Sequence, residues 1–86
     1  MIRREKLGVV NNGWPTISVP CPVETYFWRL VRRLEPDVKV VEVGRGYHNA
    51  GWAYIEVEIQ TASIGKAFEE AARLDFEVMT EFEMSQ

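Results

Sequence analysis

Few side chains in this chain of 86 residues are of a kind that does chemistry, and they are scattered. Cys21 stands between Pro20 and Pro22 at the expected start of a helix, where the positive end of the helix dipole favours a thiolate. The competing reading is a small buried hydrophobe. His48, the single histidine, lies in the run Gly44-Arg45-Gly46-Tyr47-His48-Asn49, where an imidazole can serve as a general base or as one metal ligand. No second histidine completes a metal set, and one cysteine makes neither a disulfide nor a thiolate cage, so no cofactor is expected. Gly44-Arg45-Gly46 with Gly51 has the composition of a phosphate-binding loop, but such loops join a strand to a helix N-terminus and this one is expected to join two strands. Arg29, Arg32 and Arg33 form a basic cluster able to grip phosphate or an acidic partner, with Arg3, Arg4 and Lys6 as an extension. A solvated helix end explains the same cluster.

The elements that must position these groups follow from periodicity. Val23, Tyr26, Phe27, Leu30, Val31 and Leu34 recur at helical spacing and define one apolar stripe. Pro22 suits the first helical position, Glu24 complements the dipole at the start, the arginines do so at the end, and Pro36 stops the helix. Trp28 falls off the stripe, so it covers a core edge or meets a partner; Trp14 admits the same two readings. Val38 to Val43 is a β-branched strand, residues 44 to 49 read as a loop, and residues 50 to 59 alternate strictly. Ala53, Ile55, Val57 and Ile59 go to one side of that strand, and Trp52, Tyr54, Glu56 and Glu58 to the other. Thr61 or Ser63 caps a second helix with Ile64, Ala67, Phe68, Ala71 and Ala72 on its apolar stripe. From Leu74 to Met84 alternation returns, with Phe76, Val78, Thr80 and Phe82 opposite Glu77, Met79, Glu81 and Glu83, which reads as a final strand. Near the start, Leu7 to Val10 and Thr16 to Val19 read as strands about an Asn12-Gly13 turn, with Pro15 confined to a strand end or an edge.

The resulting order, strand-helix-strand-strand-helix-strand, predicts an α+β, ferredoxin-like split β-α-β sandwich with both helices on one face of an antiparallel sheet. Residues 1–86 form one domain, with residues 1–13 as an N-terminal arm or extra strand. No segment is long and apolar enough to span a bilayer, and Met1-Ile2-Arg3-Arg4-Glu5-Lys6 lacks the apolar run of a signal peptide, so a soluble, cytoplasmic protein without membrane contact is expected.

Gly51-Trp52-Ala53-Tyr54-Ile55-Glu56-Val57 resembles the third-strand motif of RNA recognition motif domains, whose element order the chain shares. The resemblance implies that Trp52 and Tyr54 stack on bases of single-stranded nucleic acid. In this chain Ala50 occupies a usually basic motif position, Thr16 and Ser18 stand where the first strand would carry an aromatic, and Glu56 and Glu58 share the platform. Carboxylates there repel phosphates. Charge is divided along the chain: residues 1–55 hold eight Lys and Arg against five Asp and Glu, and residues 56–86 hold two against eight. That polarity suits contact with a second copy or another protein. The leading expectation is therefore a non-enzymatic binding or regulatory module that dimerises through the open sheet face or an edge. It engages a protein partner or an apolar ligand through Trp52, Tyr54 and Trp28, with Arg29, Arg32 and Arg33 as the charged element. Single-stranded nucleic-acid binding, and a small dimeric enzyme using His48 or Cys21, are the alternatives.

Overall fold

The computed structural model describes residues 13–86. Strand β1 (Thr16–Pro20) leads through a 3-10 turn (Cys21–Val23) into helix α1 (Glu24–Leu34); β2 (Lys39–His48) and β3 (Trp52–Gln60) form a hairpin, and helix α2 (Ile64–Met84) ends the chain. The described residues make an α+β domain in the order β-α-β-β-α, with an antiparallel sheet ordered β1-β3-β2. Both helices lie on one face of that sheet. The leading strand expected over Leu7 to Val10, and the arm assigned to residues 1–13, lie outside the described residues except for Gly13.

Each element has a local cause. Pro15 precedes β1, where it has no amide to donate, and its carbonyl accepts the Ile59 amide at 2.9 Å. Pro22 sits in the turn that opens onto α1, whose Phe27, Leu30 and Val31 are buried. Ser63 caps α2 by accepting the Lys66 amide at 3.3 Å. Alternation in β1 and β3 sends Ile17, Val19, Ile55, Val57 and Ile59 toward the helices, where they join Val23, Phe27, Leu30, Val31, Leu74, Val78 and Phe82 in one core.

Two expectations are corrected. Residues 44 to 48 are strand, not loop: the hairpin closes over Asn49 to Gly51, with the Gly51 amide donating to the His48 carbonyl at 2.8 Å and Gly51 at φ 100°. Only glycine adopts that conformation without cost. Val43 is the extra residue of a bulge between Glu42 and Gly44, and it lets β2 run on past the β-branched segment. The second correction is larger. Residues 74 to 84 continue α2 instead of forming a fourth strand. Ala67, Ala71, Leu74, Val78 and Phe82 are buried at spacings of three and four, and Arg73 bridges Glu70 at 2.8 Å and Glu77 at 3.2 Å along the helix surface. The apolar alternation of this segment is a by-product of that helical register, and Phe76 falls on its solvent side.

Candidate functional site

The sheet face turned away from the helices carries three rungs, read across β1, β3 and β2: Pro20, Tyr54 and Gly46; Ser18, Glu56 and Gly44; Thr16, Glu58 and Val41. Alternation alone assigns these side chains to an open face, but the face is not open. Thr16 is 1% exposed, Tyr54 8%, Glu56 2% and Glu58 4%. Ser18 Oγ donates to Glu56 Oε1 at 3.0 Å, and Gln60 Nε2 donates to Glu58 Oε1 at 2.8 Å. Glu58 Oε2 is buried with no hydrogen-bond partner among the described residues. A platform of this composition, carboxylates included, opposes the stacking of a polyanion.

The aromatic residues of β3 are held by neighbours. Tyr54 lies across the glycine opposite it: a Cβ at Gly46 would sit 2.6 Å from Tyr54 Cζ and overlap its hydroxyl oxygen. Trp52 is half-buried, stacked on His48 at 4.5 Å and 4°, edge-on to Tyr54 at 6.0 Å, and 5.1 Å from Phe82 of α2. Trp52 thus spends its ring in closing the hairpin end of the core. Trp28 is also half-buried, edge-on to Phe27 at 5.0 Å, with Nε1 donating to Glu24 Oε2 at 3.2 Å. Trp28 thus packs at a core edge, with part of its ring left exposed.

A depression of about 370 Å³ beside the hairpin end is lined by Ser18, Tyr47, His48, Asn49 and Tyr54. Three of its polar groups make hydrogen bonds within the protein, the first being Ser18 Oγ to Glu56. His48 Nδ1 accepts the Ala50 amide at 3.0 Å, which makes Nε2 the protonated nitrogen of the neutral ring, and the Tyr47 hydroxyl donates to the Gly51 carbonyl at 3.1 Å. His48 Nδ1 thus holds the turn, and Cys21 is half-buried and packs on the core, 27 positions earlier in the sequence. Among the described residues no cluster of three or more His, Cys, Asp or Glu is placed to hold a metal, and no helix is long and apolar enough to cross a membrane.

The helical layer presents a different surface. A groove of about 430 Å³ runs between α1 and α2, walled by Tyr26 on one side and by Phe76, Glu77, Thr80, Glu81 and Met84 on the other. Phe76 is 72% exposed and Met84 78%. At the α2 wall the Arg73 guanidinium is held above its ordinary pKa, first by its hydrogen bond to Glu70. Arg29, Arg32 and Arg33 are exposed on α1, and none of them makes an ion pair with a described residue. This groove escapes the strand reading of residues 74 to 84, which puts Phe76 in the core. The signal that finds it is the helical angle, since Phe76 lies opposite Leu74 and Val78 at 100° per residue.

Compared with known protein families, with curated proteins and with solved structures, the chain matches none of them.

Proposed function

We propose that this protein is a small, non-enzymatic binding module that associates with itself and works by protein contact through its helical layer. The observation that carries the reading is the pair Phe76 and Met84, exposed together along one groove of a domain whose other large apolar side chains mostly close a core. A phenylalanine and a methionine exposed two turns apart along one groove are the kind of apolar surface that marks interaction sites. The order β-α-β-β-α supports reading the plan as a ferredoxin-like one without its final strand, since α2 runs on where that strand was expected. The turn hydrogen bonds made by His48 Nδ1 and the Tyr47 hydroxyl, and the buried state of Glu56 and Glu58, support contact over catalysis or base stacking. Sedimentation velocity over a range of concentrations tests the reading. The wild-type chain is expected to pass from monomer to dimer, and Phe76→Ser to remain monomeric with an unchanged circular dichroism spectrum. Equal association by the Phe76→Ser protein would remove the groove from the interface.

A further inference from the structure

We infer that residues 1–12 dock across the sheet face turned away from the helices, with their apolar side chains over the Thr16-Glu58 rung and their cations beside Glu56. The inference is independent of the groove between α1 and α2. It starts from burial that the described elements do not account for. Glu56 is 2% exposed, yet its neighbours across the strands are Ser18 and Gly44, whose side chains are too short to cover it. Glu58 is 4% exposed between Thr16 and Val41. Helices α1 and α2 build the core on the opposite face, so among the described residues no element lies over these carboxylates. A glutamate of a central strand on an open face extends into water. A second layer therefore stands on this face.

Position, length and charge select the occupant. Gly13, the first described residue, stands three positions before Thr16, and the Pro15 carbonyl accepts the Ile59 amide, so the preceding segment enters at the edge of this face, beside the Glu58 end of β3. Gly13 has φ 88°, and Asn12-Gly13 is a pair suited to reversing a chain. Counted back from a reversal there, at about 3.3 Å per residue, Val9 comes level with Thr16, Leu7 with Ser18, and Lys6 within one residue of the Ser18-Glu56 rung. Residues 1–12 carry Arg3, Arg4 and Lys6 against Glu5 alone, a basic strip. The centre of the face carries Glu56 and Glu58, and Lys39 stands exposed at the rim opposite Gln60. Charges of opposite sign thus meet at Glu56. Glu58 Oε2, which has no hydrogen-bond partner among the described residues, falls level with Val9, under the apolar part of the cover. A segment docked in this way closes the carboxylate face and leaves the helical layer as the open surface.

The test is the rate at which trypsin cuts after Arg3, Arg4 and Lys6 in the full chain, read by mass spectrometry over a hundredfold range of protein concentration. Cleavage is expected to be at least tenfold slower than in a synthetic peptide of residues 1–14, at every concentration. Glu56→Gln keeps the shape and the acceptor for Ser18 but removes the charge, and it should raise the rate several-fold with an unchanged circular dichroism signal at 222 nm. Leu7→Ser alters no described residue and should do the same, so the reading does not depend on how Glu56→Gln folds. Cleavage of the wild type at the peptide's rate would overturn the docking. Protection that disappears on dilution would assign the cover to a second copy and overturn docking within one chain. Protection left intact in a folded Glu56→Gln protein or in Leu7→Ser would overturn this placement of the segment.

Discussion

Gly46 offers a sharp test of how the hairpin is built. It lies opposite Tyr54 in the β2-β3 register, and its backbone lies outside the left-handed region, so an L residue fits the main chain there. What excludes a side chain is the ring. A Cβ would stand 2.6 Å from Tyr54 Cζ, whereas carbon atoms pack at about 3.5–4.0 Å. The ring cannot swing freely to make room, because its edge contact is with Trp52, which is itself stacked on His48 and packed on Phe82. Gly46→Ala should therefore incur an overpacking penalty of about 1–3 kcal/mol. Removing glycine from a strand interior returns about 0.5–1 kcal/mol, so the net loss is about 1.5 kcal/mol. At about 4–8 °C per kcal/mol for a domain of this size, Tm should fall by roughly 6–12 °C.

The decisive experiment is a double-mutant cycle. Tyr54→Ala alone should cost about 3–5 kcal/mol, as large aromatic truncations do. In that background the ring is gone, and Gly46→Ala should change sign, stabilising by about 0.5–1 kcal/mol. Urea unfolding followed by tryptophan fluorescence on the four proteins measures the coupling, expected at about 2 kcal/mol. If Gly46→Ala has the same effect with and without Tyr54, the close approach of ring and strand is not what selects glycine at this position.

Replacing Glu58 by Met removes a buried carboxylate whose Oε2 has no hydrogen-bond partner among the described residues; stability should hold or rise by about 1–3 kcal/mol in urea titrations, and a loss above about 1 kcal/mol would contradict the account. Leu74→Ala should cost about 2–5 kcal/mol, whereas Phe76→Ala, measured at concentrations where the chain is monomeric, should cost less than about 0.5 kcal/mol. A strand over this segment would put both on one face and equalise the losses. Ser63→Ala, which removes the cap on the Lys66 amide, should cost about 1 kcal/mol and lower the helical signal at 222 nm on heating; no change would show that the cap is dispensable.

How much of this was legible depends on what kind of fact is asked for. The stripe from Val23 to Leu34 specified α1, because Pro22, Glu24, the arginines and Pro36 agreed with it at both ends. Alternation in residues 52 to 60 specified which side each β3 residue takes, and Ile55, Val57 and Ile59 went to the core as it required. Periodicity was ambiguous from Leu74 onward, since a helix with apolar residues at 74, 76, 78 and 82 also satisfies a period of two. The longer window from Ala67 to Phe82 resolves it, because only a helical register carries Ala67, Ala71, Leu74, Val78 and Phe82 along one stripe. Burial of the far sheet face was not legible at all. The pattern fixes the side that Tyr54, Glu56 and Glu58 occupy, but period alone does not say whether that side meets water, and carboxylates bias any reading toward solvent. Reading Trp52 and Tyr54 as a displayed surface followed from the same bias. Phe76, one residue beyond Asp75 on the outer side of α2, is as exposed as Tyr47 of β2, and a single misassigned period there exchanges solvent-facing surface for core.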